Sequence, residues 1–118
     1  MLSVEQAFAR RISNVPLTAS GWVTKILSDD HEGPHHQRFV FEIHSGHTIL
    51  VAHNLERAYR VPVRLGDKIE VHGTYVWNKY GGILHNTHHS DRGEHEDGYI
   101  IFVGKKSPHD YHSIHQQT

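Results

Sequence analysis

The chain has 118 residues, which is enough for one domain with a modest core and too few for a second catalytic domain. Its 12 lysines and arginines nearly balance its 13 aspartates and glutamates, so at neutral pH no strong field attracts nucleic acid or an anionic membrane. The lack of cysteine excludes disulfides and thiolate metal sites, and any metal ion must be bound through nitrogen and oxygen.

The N-terminus has neither the basic start nor the apolar run of a signal peptide, and no stretch approaches the ~20 apolar residues of a membrane-spanning helix. We therefore predict a soluble protein of the cytoplasm, or of the periplasm or cell exterior if a signal has been removed. Because the sequence contains no repeat and no linker, we expect a single domain over residues 1–118.

The first residues predict an N-terminal helix over residues 1–15. Ser3 and Gln6 have the spacing of a capping box, and Pro16 breaks the helical pattern. The apolar residues of this stretch recur at helical spacing and share one face: Val4, Ala7, Phe8 and Ile12. We expect this face to pack onto the rest of the domain.

Three strands with short connections follow. Residues 21–27 predict the first strand, and a polar loop over residues 28–37 contains the turn-forming pair Gly33-Pro34. In the second strand Phe39, Phe41 and Ile43 alternate with smaller or polar neighbours, which predicts a half-buried strand. The turn after it leads to a third strand over residues 48–53, so the three form an antiparallel meander.

The second half of the chain predicts a short helix and three further strands. Asn54 can cap a brief helix that ends at Pro62. A fourth strand over residues 68–77 and a fifth over residues 83–88 then precede a polar loop, an extra strand over residues 99–103 and a tail over residues 104–118. The inward row of the fourth strand comprises Ile69, Val71, Gly73, Tyr75 and Trp77.

This order of elements resembles the OB-fold, a five-stranded β-barrel. The segments that carry the resemblance are Gly21-Trp22-Val23 at the first strand and Leu65 to Gly73, LGDKIEVHG, at the fourth. The resemblance covers about residues 19–89. It implies an all-β class with small α content: an OB-like barrel with a short N-terminal helix, a short helix between strands three and four, and an extra C-terminal strand.

The chain also resembles an uncharacterised bacterial family of small OB-like proteins. The family pattern has an aromatic residue where this chain has Asn86, and Ser90 is interposed in its last motif. Because the family has no established activity, the resemblance implies the fold and no reaction. The matching segments are Asp29-Asp30, His36-Gln37-Arg38-Phe39, Ala52-His53-Asn54, Gly66-Asp67, Trp77-Asn78, Gly81-Gly82 and Thr87-His88-His89-Ser90-Asp91.

Fourteen histidines distinguish the composition, and the implied topology gathers some of them. In an OB-like barrel strand three is parallel to strand five, and the loop between strands one and two lies where both end. We therefore expect four imidazoles from three segments to converge at one rim: His36, His53, His88 and His89.

Such a rim predicts a site for zinc, copper, iron or nickel, all of which accept imidazole. We favour His53 and His89 as ligands, and Asp91 as a ligand or as the carboxylate that orients one. His85 and His89 would be ~13 Å apart on an extended strand, so both cannot bind one ion unless the chain bends. The residues that compete for a third position are His36, His85, His88 and His95.

If the protein is an enzyme, a metal-bound water acting on a small ester or phosphodiester is the plainest mechanism. Asp30 and Asp91 are then the candidate catalytic bases, and no substrate is assigned. The alternative for the rim is a hydrogen-bonded structural network or a set of unrelated exposed residues. We expect the other histidines to be solvated or, in the tail, adventitious metal binders: His31, His44, His47 and His72, and His109, His112 and His115.

A function of a different class remains open, namely a non-catalytic module that binds single-stranded nucleic acid, a peptide or another protein on the barrel face. Trp22 and Tyr80 can offer stacking surfaces, but the cationic residues are scattered along the chain, which weakens the case for nucleic acid. We expect a metal ion or a small molecule as partner and no membrane. The oligomeric state is left open.

Overall fold

The computed structural model describes residues 1–104. The tail predicted from residue 104 therefore lies outside the described residues from residue 105 onward, together with His109, His112 and His115. The elements are α1 (Val4–Ala9), β1 (Val15–Ile26), β2 (His36–Glu42), β3 (Thr48–Asn54), β4 (Lys68–Val76), β5 (Ile83–His85) and β6 (Tyr99–Phe102).

Five strands close into a mixed barrel in the order β1-β2-β3-β5-β4, with β4 pairing back onto β1. The long strand β1 makes this closure possible, because residues 15–22 pair with β4 and residues 22–26 pair with β2. The pairing with β2 contains an irregularity between Val23 and Lys25. Strand β6 lies outside the barrel and pairs with the first half of β4. The predicted all-β, five-stranded barrel with an N-terminal helix and an extra C-terminal strand is confirmed.

Strands β3 and β5 are parallel, with Leu50 opposite Ile83 and Val51 opposite Leu84. This is the pairing on which the predicted gathering of histidines depended. Strand β5 is shorter than expected and ends at His85 because Asn86 adopts a left-handed conformation, with φ of 53°. The residues that follow β5 therefore turn across the end of the barrel as a loop.

The interior of the barrel is filled by the alternating apolar residues of the strands. Phe39 and Phe41 of β2 are fully buried, and Tyr75 of β4 donates its hydroxyl hydrogen to the carbonyl oxygen of Gly81 at 2.8 Å. The predicted inward rows of β2 and β4 are thus buried, except that Trp77 is half-buried and donates its indole N–H to the carbonyl oxygen of Phe8.

Helix α1 is shorter than the predicted helix over residues 1–15. Its capping box forms, since Ser3 and Gln6 each accept the backbone N–H of the other. The helix ends because Arg11 adopts a positive φ of 53°, and the N–H of Ile12 then reaches back to the carbonyl oxygen of Ala7. Among residues 1–104, no helix is long and apolar enough to cross a membrane.

The prediction of a short helix between strands three and four is wrong, because residues 55–67 contain turns, a bend and irregular chain. Asn54 does start a turn, in which its side chain accepts the N–H of Glu56 at 2.8 Å. Further along, the side-chain amide of Gln37 bonds to both the N–H and the carbonyl oxygen of Val61. Because both backbone groups of Val61 are bonded to this side chain, they are not available for the hydrogen bonds of a helix.

Candidate metal centre

The loop between β1 and β2 gathers three residues with metal-binding side chains, which we call the loop cluster: Asp29, His31 and His35. The loop is folded back by a backbone bridge in which Asp30 and His36 exchange two hydrogen bonds of 2.9 Å. As a result, one ligand atom from each member of the loop cluster lies within 4.8 Å of the other two.

The contacts within the loop cluster are polar and close. Nε2 of His35 lies 2.8 Å from a carboxylate oxygen of Asp29, and the ring centroids of His31 and His35 are 4.2 Å apart. The backbone of His35 is fixed on both sides, because its N–H bonds to the carboxylate of Glu56 and its carbonyl oxygen accepts the N–H of Leu55. His35 is thus held in place, whereas His31 lies on the exposed part of the loop.

Arg60 approaches the same carboxylate from the connection between β3 and β4. Its guanidinium donates two hydrogen bonds to Asp29, at 3.1 and 2.5 Å. Arg60, and after it His35, lower the pKa of Asp29 to about 2. The carboxylate is therefore anionic at neutral pH and suited to bind a cation, but the guanidinium occupies both of its oxygens.

Two imidazoles and one carboxylate are a donor set that zinc, copper and nickel accept, and three protein ligands leave a position open for water. Neither His31 nor His35 is predicted from the sequence as a ligand, and His31 is expected in solvent. Of the carboxylates of this loop, only Asp30 is singled out from the sequence, as a candidate catalytic base. A carboxylate followed by histidines two and six positions later in a Gly-Pro loop is the signal that was available.

His53, one of the two favoured ligands, is buried with 3% of its surface exposed and is hydrogen-bonded at both ring nitrogens. Nδ1 lies 2.8 Å from the Thr87 hydroxyl group, and Nε2 lies 2.9 Å from the carbonyl oxygen of Tyr59. Since a carbonyl only accepts, Nε2 carries the proton and Nδ1 accepts the Thr87 hydrogen. Neither nitrogen is free for a metal ion, which favours the structural network for this residue.

Burial lowers the pKa of His53, and the charges of protonated His88 and His36 lower it further. Burial likewise lowers the pKa of His85, followed by the charges of protonated His36, His95 and His88. The histidines in these electrostatic interactions belong to β2, β3, β5 and the loop after β5. Three of the four predicted rim residues, His36, His53 and His88, therefore lie at the same end of the barrel as His85 and His95.

His89, the other favoured ligand, has a side chain that is 70% exposed. Its Nδ1 lies 2.9 Å from a carboxylate oxygen of Asp97, and its Nε2 lies 3.8 Å from a carboxylate oxygen of Asp91. Asp91 is itself 75% exposed and lies beyond hydrogen-bond distance of His89. Asp30, the other candidate base, is partly buried and accepts the N–H of Glu32.

His72, which we expected in solvent, is buried with 7% of its surface exposed. Strand β6 and the loop before it cover the outer face of β4, so the ring of Tyr99 stacks on His72 at a centroid distance of 5.6 Å. Nδ1 of His72 lies 2.6 Å from the Thr18 hydroxyl group, and Nε2 bonds to the carboxylate of Glu96. These contacts attach the loop after β5 to the barrel wall.

The comparisons with known proteins agree with the resemblance seen in the sequence. No curated protein matches the chain. A family model described as a protein of unknown function, DUF3465, matches residues 2–108, which is nearly the whole chain. The chain therefore belongs to the DUF3465 family, a family of unknown function.

Proposed function

We propose that this protein is an OB-like, metal-binding domain that holds a transition-metal ion at the loop cluster. The observation that carries the proposal is that ligand atoms of Asp29, His31 and His35 lie within 4.8 Å of one another. Two ligand atoms about 2.1 Å from one ion are about 3.4 Å apart in a tetrahedral site. Closing the cluster around an ion therefore needs shifts of about 1 Å, which the exposed side chain of His31 can make.

The donor set favours a borderline metal over a hard one. Ca²⁺ and Mg²⁺ prefer sites built from oxygen, whereas the loop cluster supplies two ring nitrogens and one carboxylate. The backbone hydrogen bonds of His35 and the paired carboxylate of Asp29 restrict two of the three ligands before an ion arrives. Zinc, copper, iron and nickel are the metals that fit.

Hydrolysis of a small ester or phosphodiester is the reaction that this site would support. Three protein ligands leave one position for water, whose pKa a transition-metal ion lowers. Asp30 follows Asp29 directly and is the nearest candidate base by position in the loop. The test is hydrolysis of p-nitrophenyl acetate and bis(p-nitrophenyl) phosphate with and without zinc. A zinc-dependent rate that Asp30→Asn lowers supports the reaction, and no rate above that of free zinc contradicts it.

A second candidate function, a non-catalytic binding module, is favoured by a groove of about 350 Å³ beside β2 and the start of β3. Leu27, Val40 and Leu50 give the groove an apolar floor, and Tyr80 at its edge is 77% exposed. An exposed aromatic ring beside an apolar groove can stack a nucleic-acid base or a peptide side chain. Oligonucleotide binding that weakens with salt and with Tyr80→Ala would support this function, and no binding at low salt would remove nucleic acid as the partner.

Calorimetric titration of the untagged chain with zinc tests the metal proposal. We expect Asp29→Asn, His31→Gln and His35→Gln each to remove one bound equivalent or to weaken its binding at least about 10-fold. His44→Gln is the matched control, because His44 is an exposed histidine on the next loop of the chain. Unchanged zinc binding in all three loop variants would refute the site.

A further inference from the structure

Four histidines that do not belong to the loop cluster lie at one end of the barrel. His36 begins β2, His85 ends β5, and His88 and His95 lie in the loop between β5 and β6. We call these four residues the barrel-end group. They lie at the same end of the barrel because β2 begins and β5 ends there, on either side of β3.

Hydrogen bonds determine where the proton lies in three of these rings. Nδ1 of His36 lies 2.8 Å from the carbonyl oxygen of Pro34. Nδ1 of His88 lies 2.9 Å from the carbonyl oxygen of His89, and Nδ1 of His95 lies 2.8 Å from the carbonyl oxygen of Glu96. A carbonyl oxygen only accepts, so in each neutral ring Nδ1 carries the hydrogen and Nε2 has the free lone pair. Metal-bound histidines usually have this arrangement, in which one nitrogen donates to a carbonyl and the other binds the ion.

Two of these rings are in direct contact, since the ring centroids of His88 and His95 are 4.9 Å apart. His36 and His85 are both half-buried and lie in strands on either side of β3.

A cavity of about 270 Å³ adjoins the group and is lined by His88, His95 and Arg57 among others. Asp91 and Glu94 line the same cavity, so an oxygen donor is available beside the nitrogens. The space is large enough for water or a small anion next to a bound ion. Such a ligand would also meet the positive charge of Arg57.

We propose that the barrel end is a second transition-metal site, in which neutral rings bind one ion through ring nitrogens: His36, His85, His88 and His95. Within residues 1–104, three ligand atoms lie within 4.8 Å of one another only in the loop cluster. Binding one ion at the barrel end therefore requires these rings to turn toward it. His88 and His95 can do so because both lie on a loop. His53 stays outside the ligand set, since both of its nitrogens are hydrogen-bonded.

The two sites lie on opposite sides of the start of β2. His35 and His36 are adjacent, and successive side chains of an extended segment point to opposite faces. The ring of His35 contacts Asp29, whereas the charge of His36 acts on His53 and His85. The barrel-end site is therefore independent of the loop cluster, and each can be removed by its own substitutions.

The test is zinc titration of the full chain in a background that silences the tail, with His109→Gln, His112→Gln and His115→Gln. This background is expected to bind two equivalents of zinc. His31→Gln should remove one equivalent, and His88→Gln or His95→Gln should weaken the other at least about 10-fold. His44→Gln is the matched control, because His44 is exposed in the turn between β2 and β3 and does not line the cavity. Far-UV circular dichroism confirms that each variant is folded.

Two outcomes of the titration overturn the inference. One is that His88→Gln and His95→Gln both keep the full stoichiometry and affinity of the background. The other is a single equivalent that only His31→Gln removes. If His31→Gln instead has no effect while His88→Gln and His95→Gln remove an ion, the barrel-end site stands and the proposed function of the loop cluster fails.

Imidazole ¹⁵N spectroscopy supplies a second readout, which a structural role for these rings would not move. Zinc should shift the Nε2 resonances of His36, His88 and His95, and their Nδ1 atoms should stay protonated. If these Nε2 resonances do not change when zinc is added, the proposed barrel-end site is refuted.

Discussion

The hydroxyl group of Thr87 lies 2.8 Å from Nδ1 of His53, and this buried hydrogen bond joins β3 to the segment that follows β5. The other nitrogen of His53 donates to the carbonyl oxygen of Tyr59, in the connection between β3 and β4. One imidazole thus fixes three segments of the barrel end. Because both of its ring nitrogens are hydrogen-bonded, His53 has a structural role at this end of the barrel.

His53→Ala is expected to lower the free energy of unfolding by about 2–4 kcal/mol, since it removes two hydrogen bonds and leaves a cavity. Thr87→Val keeps the shape of the side chain and removes one bond only, so it should cost about 1–2 kcal/mol. Urea denaturation measures both values. A cost below about 0.5 kcal/mol for His53→Ala would contradict the structural role of this residue.

Stability is expected to fall as the pH falls below about 6.5, the ordinary pKa of histidine. The lowered pKa values of His53 and His85 mean that the folded chain binds protons less readily than the unfolded chain. Stability is therefore fully present above the unfolded value and is lost as the pH falls toward the lower folded values. Thermal unfolding between pH 8 and pH 5 checks this. The His85→Gln variant should show a shallower fall, and an unchanged slope would contradict the assignment to His85.

Arg60→Gln is expected to strengthen zinc binding at the loop cluster. The Arg60 guanidinium pairs with both oxygens of Asp29, so a metal ion must displace it. Removing the competitor should lower the Kd for zinc by about 3- to 10-fold, since an exposed ion pair is weak. Calorimetry with Arg64→Gln as control measures the change. Weaker zinc binding in Arg60→Gln would show that Arg60 supports the site.

The stability of the protein at low pH also tests the ion pair between Asp29 and Arg60. Because Arg60 and His35 hold the pKa of Asp29 at about 2, below its ordinary value of 3.8, the contribution of Asp29 is present above pH 3.8 and is lost as the pH falls toward about 2. Asp29→Asn should therefore reduce the loss of stability between pH 4 and pH 2. Equal acid sensitivity in the variant and the natural chain would contradict this.

Glu96→Gln is expected to weaken zinc binding at the barrel-end site, although it replaces none of the proposed ligands. Glu96 bonds to buried His72 and so attaches the loop that carries His88 and His95 to the outer face of β4. Loosening this loop should weaken the second zinc ion and leave the one at the loop cluster unchanged. Two-site titration separates the effects, and equal weakening of both ions would point to a general loss of fold.

Much of the fold follows from local patterns in the sequence. The alternation of Phe39, Phe41 and Ile43 and the inward row of β4 identify the strands, and the implied barrel topology gave the parallel pairing of β3 and β5. The helix predicted between strands three and four does not form. The side chain of Gln37, which is distant in sequence, bonds to both backbone groups of Val61 and so takes them from a helix.

The candidate site was only partly predictable for the same reason. Topology predicted a site at the rim histidines and did not include the loop cluster, which depends on a backbone bridge between Asp30 and His36 and on Arg60 from another connection. The burial of His72 likewise depends on Tyr99, which reaches it only because β6 pairs with β4. Spacing along the chain contains none of these non-local contacts.

Crystallography of the untagged full chain with zinc, measured at the zinc absorption edge, tests the central claim most directly. We expect an anomalous difference peak about 2.0–2.2 Å from a ring nitrogen of His31, a ring nitrogen of His35 and a carboxylate oxygen of Asp29, with Arg60 displaced from that carboxylate. A zinc-saturated crystal with no peak at the loop cluster, and with the Arg60 and Asp29 pair intact, would contradict the claim.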